Sequence, residues 1–494
     1  MTKNSNVIVI DINKLPKMVK DAFKCAKTVA PDLDDNALLN IILAIISFIT
    51  ACKRIKVDEF ANGTNIIGCN YFGIVFAPSG SGKDKATKYL KSKVFKKTFD
   101  AIYQRVNTEY NNKILDIQAR YKDAKTSEEK KQMQAEIDSV RKVSLITSKC
   151  TQEGFYADAK ALVNMQFGAL FVNDSEIGLT LSSKDEAKRA AIDVLMLAFD
   201  NVVHAKKIKS DNSETENIEN ITVIALLMSD VNAFKNNKAH DILETLLITG
   251  MARRSIITYQ DSMIKTIKDI DIEYKERQQA YNDAELLSDK IYKIYSDIEI
   301  NSIYKLPESV AKDVIGCYTQ DIAKRFNNCK NELLGKEMLS REFKIIKLSG
   351  VCAAINHPKN LMITKEDAEQ AIYMVDILSN DFVKYIHKNS PYNDVISRIY
   401  DFLLDNLNKT FSKTELTMQH FSDFGISRRQ FRKDFDDIMV SVVEYADLNG
   451  YNLIATPDGE LNGTSIQKYS IKMQKRMTPE YLEELNKALS VDTI

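Results

Sequence analysis

The residues 76–89, "FAPSGSGKDKATKY", hold the densest chemistry in the chain. Gly80 and Gly82 let the backbone turn tightly and aim successive N–H groups at one anion. Lys83 follows them, where its ammonium reaches the outer phosphates of a nucleotide. Ser79, Ser81 and Lys85 complete the polar loop, and the residues after it have helical character, which adds positive potential behind the anion. Two letters depart from the phosphate-loop pattern G-x-x-x-x-G-K-[ST]. Ala77 stands at the first glycine. Asp84 stands where a hydroxyl normally holds magnesium. A carboxylate is a harder and more charged oxygen ligand for the same ion. It also repels a terminal phosphate unless the metal lies between. The expectation is ATP with Mg2+, and either a stronger magnesium dependence or a weakened nucleotide site.

Such a loop needs an acidic partner on a neighbouring strand. "GALFVNDSEIG" supplies four apolar residues, 169–172, followed by Asn173, Asp174, Ser175 and Glu176. In an extended strand Asp174 and Glu176 share a face. Asp174 is then a metal residue beside Asp84, and Glu176 polarises the attacking water, although which carboxylate is the base stays open. "TVIALLMSDVN" ends a third apolar strand in polar groups, and Ser229, Asp230 or Asn232 is a candidate phosphate sensor. "GMARRSI" places Arg253 and Arg254 after a helix. An arginine offered to a phosphate stabilises transition-state charge, often from a neighbouring subunit, and that use requires a ring or filament.

Alternating elements must position these residues. "YFGIVFA" reads as a central strand, apolar on both faces, directly before the glycine loop. Strands and helices alternate over residues 65–260, which implies a mainly parallel sheet covered on both faces. Residues 91–142 are charged and free of Gly and Pro. They read as two antiparallel helices, a coiled-coil arm inserted into the core, with Thr126 or Ser127 as the cap before Glu128 and Glu129. Residues 1–64 read as a helical N-terminal region, 261–390 as a helical lid or connector, 391–475 as a winged helix and 476–494 as a polar tail. "FSKTELTMQHFSDFGISRRQFRKDF" has helix–turn–helix proportions, with Gly425 in the turn and Ser427 as cap. Its last helix carries Arg428, Arg429, Arg432 and Lys433, which suit DNA backbone or base contact; a protein-binding winged helix is the alternative.

Composition narrows the rest. Lys plus Arg and Asp plus Glu balance at 68 each, so nucleic-acid binding must come from local patches. The seven cysteines form no C-x-x-C pair and the five histidines are dispersed, against a disulfide framework or a zinc site. "ALLNIILAIISFITAC", residues 37–52, contains Asn40 and is shorter than the ~18 residues of a spanning helix, so it reads as a buried helix. The expected setting is a bacterial host cytoplasm without membrane contact.

Taken in order, "APSGSGKDK", "TSKCTQEGF", "ALFVNDSEIG", "ITVIALLMSD" and "GMARRS" resemble a P-loop ATPase family of phages and mobile elements, often associated with primase–helicase proteins. That family is similar to superfamily-three and minichromosome-maintenance helicases. "LSREFKIIKLSGVCAAINHPKNLMITKEDAEQAI" resembles the helical lid of AAA+ replicative helicases, which would make Arg341 a second, nucleotide-sensing arginine. The resemblance covers about residues 35–385. It implies an AAA+-like α/β P-loop NTPase with a helical lid, assembled as a hexamer around single-stranded DNA. A hairpin before the sensor strand would enter the pore, bringing His204, Lys206, Lys207 and Lys209 to DNA phosphates. The expected function is an ATP-dependent DNA helicase or replication-initiator ATPase, with duplex DNA possible at the winged helix and primer synthesis left to a separate primase. The alternatives are an ATP-binding scaffold or a DNA-binding regulator with little hydrolysis.

Overall fold

The computed structural model describes residues 10–139, 145–147, 152–165, 167–182, 195–196, 198–199, 202–203, 217–219, 221–230, 238–263, 265–267, 269–328, 332–388, 392–407, 409–448, 451–458 and 468–475. The described residues group into two compact units, one within 9–382 and one within 383–475.

The larger unit is organised by five parallel strands: β1 (Tyr71–Phe76), β2 (Ile146–Thr147), β3 (Ala169–Asp174), β4 (Thr222–Ser229) and β5 (Ser255–Tyr259). Their spatial order is β2-β3-β4-β1-β5. Every residue of β1 and β4 is buried, as expected of central strands with both faces covered. Phe76 is level with Ser229 and with Tyr259, so β1, β4 and β5 end at one edge. Asp174 pairs with Leu227, so β3 stops two residues earlier and its acidic turn lies beside that edge.

The apolar run at 37–52 forms the helix α1 (Asp35–Ala51), in which every residue from 36 to 51 is buried. Asp34 caps it by accepting from the backbone N–H groups of Asn36 and Ala37. Phe48 of α1 stacks on Phe171 of β3 with ring centroids 5.0 Å apart. Asn40 is fully buried within α1. Its Nδ2 donates to the carbonyls of Ile74 on β1 and Ile256 on β5, at 3.2 and 3.0 Å, and its Oδ1 accepts from the Tyr71 hydroxyl at 2.8 Å. Gly73 makes room for it: a Cβ there would lie 2.4 Å from Asn40 Oδ1. No helix among the described residues is long and apolar enough to cross a membrane.

The helix α2 (Lys83–Tyr89), which follows the glycine loop, leads into a helical hairpin of α3 (Lys96–Asp123) and α4 (Ser127–Ser139). Arg120 and Glu136 pair across it at 2.9 Å. Thr126, not Ser127, is the cap: its Oγ1 accepts from Glu129 N–H while Glu129 accepts from Thr126 N–H. The N-terminal and connecting regions are less purely helical than expected. Lys56–Asp58 pairs antiparallel with Ile66–Gly68 and parallel with Ile303–Lys305. Strands of three residues are too short to carry a period-2 signal.

The smaller unit runs helix (Asn393–Asp405), strand (Thr410–Ser412), helix (Lys413–Gln419), helix (Arg428–Leu448) and a hairpin of Tyr451–Asp458 with Lys468–Lys475. The three strands form one antiparallel sheet. A capping box of Ser412 and Glu415 starts the second helix. Gly425 turns the chain at φ +71°, and Ser427 caps the third helix by accepting from Gln430 N–H.

Asn40→Ala should lower stability by about 2 kcal/mol, because Tyr71 and two strand carbonyls lose a buried partner. Urea unfolding followed by circular dichroism, which suits a chain without tryptophan, measures this. An unchanged midpoint would show that Asn40 does not tie α1 to the sheet.

Candidate functional site

Because β4 lies between β1 and β3, the three polar segments that follow these strands sit side by side at one edge of the sheet. In open parallel sheets such an edge is where ligands bind. The loop after β1 turns through Gly80 at φ +82° and Gly82 at φ +100°, conformations that favour glycine. It is held to its neighbour twice: Ala77 N–H donates to the Ser229 carbonyl at 3.1 Å, and Ser79 N–H donates to Asp230 Oδ2 at 2.7 Å. Asp230 therefore braces the loop, while Ser229 is the buried hydroxyl beside it.

Lys83 is buried and folded back, donating to the Ala77 carbonyl at 3.0 Å. Three buried oxygens at this edge have no hydrogen-bond partner among the described residues: Ser81 Oγ, Ser229 Oγ and Asn173 Oδ1. Buried polar atoms are normally hydrogen-bonded, so these mark a place for a polar ligand or water.

The acidic turn departs from the sequence expectation. β3 ends at Asp174, and residues 175–176 form a turn, so Asp174 and Glu176 do not share a strand face. Instead Asp174 is buried and works on its own loop. Its Oδ1 accepts from Glu176 N–H at 2.9 Å and its Oδ2 from Thr180 Oγ1 at 2.6 Å, holding the start of the helix Ile177–Ser182. The opposite strand face carries Phe171, against Phe48, and then Asn173. With Ser175, Asn173 lines a cleft of about 630 Å³ shared with Asp84. Asn173 is thus the strand residue on the Asp84 side, a position that carboxylate chemistry alone does not single out. Counting alternate positions back from Ser175 to the apolar Phe171 was the signal available.

Asp84 and Lys85 are exposed at the start of α2. Burial pulls the Lys85 pKa down, with Arg277 adding to the effect and Glu273 and Asp32 opposing it. Among the described residues no group of three or more His, Cys, Asp or Glu side chains could hold a metal ion by itself. Magnesium sites built on one or two carboxylates plus substrate phosphates have no need of such a group. Asp84 fits that pattern, with Asn173 and Ser175 across the cleft.

The arginines lie elsewhere. Arg253 and Arg254 directly precede β5, whose five residues at about 3.3 Å each put them roughly 16 Å from the loop edge. Arg253 is exposed, and its Nε lies 3.4 Å from Ser340 Oγ. Arg341 does not reach the edge that carries the glycine loop. It is 1% exposed and its guanidinium donates to Glu337 at 2.9 Å and to Asp376 at 3.0 Å. Lys344 shares Glu337 at 3.1 Å and donates to the Ala252 carbonyl at 3.2 Å, which places the cluster at the arginine end of β5. Burial pushes the Glu337 carboxyl up, but Arg341 and Lys344 outweigh it and hold it below its ordinary value. Burial pulls Lys344 down, and Glu337 opposes this.

His204, Lys206, Lys207, Lys209 and Asn232 lie outside the described residues. In the smaller unit Arg428, Arg429, Arg432 and Lys433 are exposed while Phe431 and Phe435 are buried, so the third helix presents a basic side away from its core. No model of a known protein family matches the chain, and no curated protein matches it.

Glu337→Gln should destabilise the protein by about 3 kcal/mol, since it strips a counter-charge from two buried cations. The Glu337 carboxyl is held below its ordinary 4.5 in the folded protein. Its stabilisation is therefore complete above that value and is lost as pH falls through the lowered one. Acid unfolding curves should be shallower for Glu337→Gln than for the native chain; parallel curves would contradict this.

Proposed function

We propose that this chain is a magnesium-dependent P-loop ATPase of AAA+-like type, acting as a ring-forming motor on single-stranded DNA in the replication of a phage or mobile element. The observation that carries the ATPase reading is the strand order, which sets the Gly80–Gly82 loop, Ser229 with Asp230, and the Asp174–Glu176 turn on adjacent strands at one edge. Lys83 exchanges its backbone acceptors for phosphate oxygens when nucleotide enters. Ser81 and Ser229 gain the partner they lack. Asp84 would hold magnesium, which would supply charge neutralisation for phosphoryl transfer. No hydrogen bond or ion pair among the described residues occupies the Glu176 carboxylate, which leaves it able to orient a water.

The motor reading rests on the ordered motifs and on Arg253, which is exposed too far from its own loop to serve it and suits the loop of a neighbouring copy. The helical connector is the lid in this reading. The smaller unit is a winged helix whose basic third helix contacts DNA. A scaffold that binds ATP with little turnover is the second reading, favoured by the use of both Asp174 oxygens in capping its own helix.

Lys83→Ala should abolish magnesium-dependent phosphate release stimulated by single-stranded DNA. A native protein that binds ATP and releases no phosphate under those conditions would leave the scaffold. Arg253→Ala should lower turnover by about 10³-fold or more, and mixing it with Lys83→Ala should restore part of the activity. Absence of restoration in confirmed mixed oligomers would count against a shared site.

A further inference from the structure

Beyond Asp84, Asn173 and Ser175, the cleft carries residues that the nucleotide site does not use. At about 630 Å³ it lies within the ~300–1,000 Å³ range of ligand sites. Lys88 and Lys91 line it from α2 and the helical turn Leu90–Val94 that follows. Lys96, Asp100 and Tyr103 line it from the root of α3. Lys96 and Asp100 pair with each other at 2.8 Å, so their charges cancel. Lys88, Lys91 and Asp84 remain. Tyr103 is 41% exposed, and its ring rests tilted against the buried Phe99, with centroids 6.3 Å apart. An aromatic face braced from behind, beside two ammonium groups, suits a ligand with both a flat base and phosphates.

We infer that this cleft binds single-stranded nucleic acid, with Lys88 and Lys91 on its phosphates and Tyr103 stacked on a base, and that Asp84 couples this binding to magnesium. The inference rests on the ATPase reading above and adds a place for the strand. A duplex is excluded because its base faces are hidden in the stack; an unpaired strand exposes them.

The coupling follows from position. Asp84 belongs both to the start of the phosphate-loop helix and to the wall of the cleft. It also interacts electrostatically with Lys91: burial pulls the Lys91 pKa down and Asp84 opposes that pull. Without a metal, the Asp84 carboxylate repels a polyanion and offsets one of the two lysines. A magnesium ion held by Asp84 would offset that charge and leave the cleft more positive, whereas a nucleotide's own phosphates would add negative charge at the same edge. Magnesium therefore strengthens strand binding, and by linkage the strand strengthens magnesium binding by the same factor. A serine or threonine at position 84 provides no such switch, which gives the unusual letter of the loop a purpose.

The test uses the full chain and a labelled oligothymidylate, followed by fluorescence anisotropy, with and without magnesium and a non-hydrolysed ATP analogue. Tyr103→Leu should weaken binding roughly 5- to 100-fold, as loss of one stacked base does, while Tyr103→Phe binds as the native chain. Lys88→Gln with Lys91→Gln should reduce the slope of log affinity against log salt by about one to two. Basal phosphate release without DNA stays unchanged in the Tyr103 and Lys88 variants. Asp84→Asn should tighten strand binding in the absence of magnesium and abolish the further tightening by magnesium. If the native chain binds the strand and all these variants bind it equally, the cleft is not the site, although the motor reading survives. If the native chain binds no strand at all, both fall. Complete displacement of the oligonucleotide by thymidine monophosphate would make the cleft a mononucleotide site and overturn the proposal. So would variants that change particle mass while strand binding stays intact, since the cleft would then be a contact between copies.

Discussion

A single buried amide, Asn40, joins the helix α1 to β1, which leads into the glycine loop, and to its neighbour β5. An unpaired polar group in a helix as apolar as α1 would cost several kcal/mol, so its position is tightly specified. The amide has partners only where carbonyls of β1 and β5 and the Tyr71 hydroxyl converge. Gly73 leaves the space for it. A slide of α1 by one turn would break these bonds and bury an unpaired amide. The register of β1 against its cover is thereby set, and with it the height at which the Gly80–Gly82 loop leaves the sheet.

Charge is arranged differently at the two ends of the sheet. At the loop end, Asp84, Lys85 and Glu176 are accessible, and buried oxygens of Ser81, Ser229 and Asn173 await partners. At the other end, Glu337, Arg341 and Lys344 are buried and paired with one another. Paired buried charge is costly to disturb and holds geometry, whereas accessible charge responds to ligands. The rigid cluster grips the short helix Ala252–Arg254 through the Ala252 carbonyl, so Arg253 is presented from a firm base. The responsive end holds the glycine loop and Lys83.

How legible all this was depends on distance along the chain. The strand–loop–helix around Lys83 is local, and residue types over twenty positions are enough to read it. The cap at Thr126, the turn at Gly425 and the buried helix α1 are local in the same sense. Arg341 was misplaced because a lid arginine and an interior ion-pair arginine look identical in sequence. What separates them is Asp376, thirty-five residues on, and Glu337, one turn back. Asp174 and Glu176 were misread together because a strand's alternation was extended two residues past its end. The three-residue strands at 56–58 and 303–305 pair across some 250 residues, and no window contains both.

By itself the sequence determined the parts: a glycine loop with one lysine and an unexpected aspartate, apolar strands that end in polar groups, and a basic helix capped by Ser427. Each follows from backbone freedom, side-chain period or capping, which act over a few residues. Only the tertiary structure decided their arrangement. It put β4 between β1 and β3, sent Arg253 and Arg341 to the far edge, turned Asn173 rather than Asp174 toward Asp84, and brought Tyr103 to Lys88. These depend on which strand a crossover returns to and which face a residue meets, and both are settled by packing between segments distant in sequence.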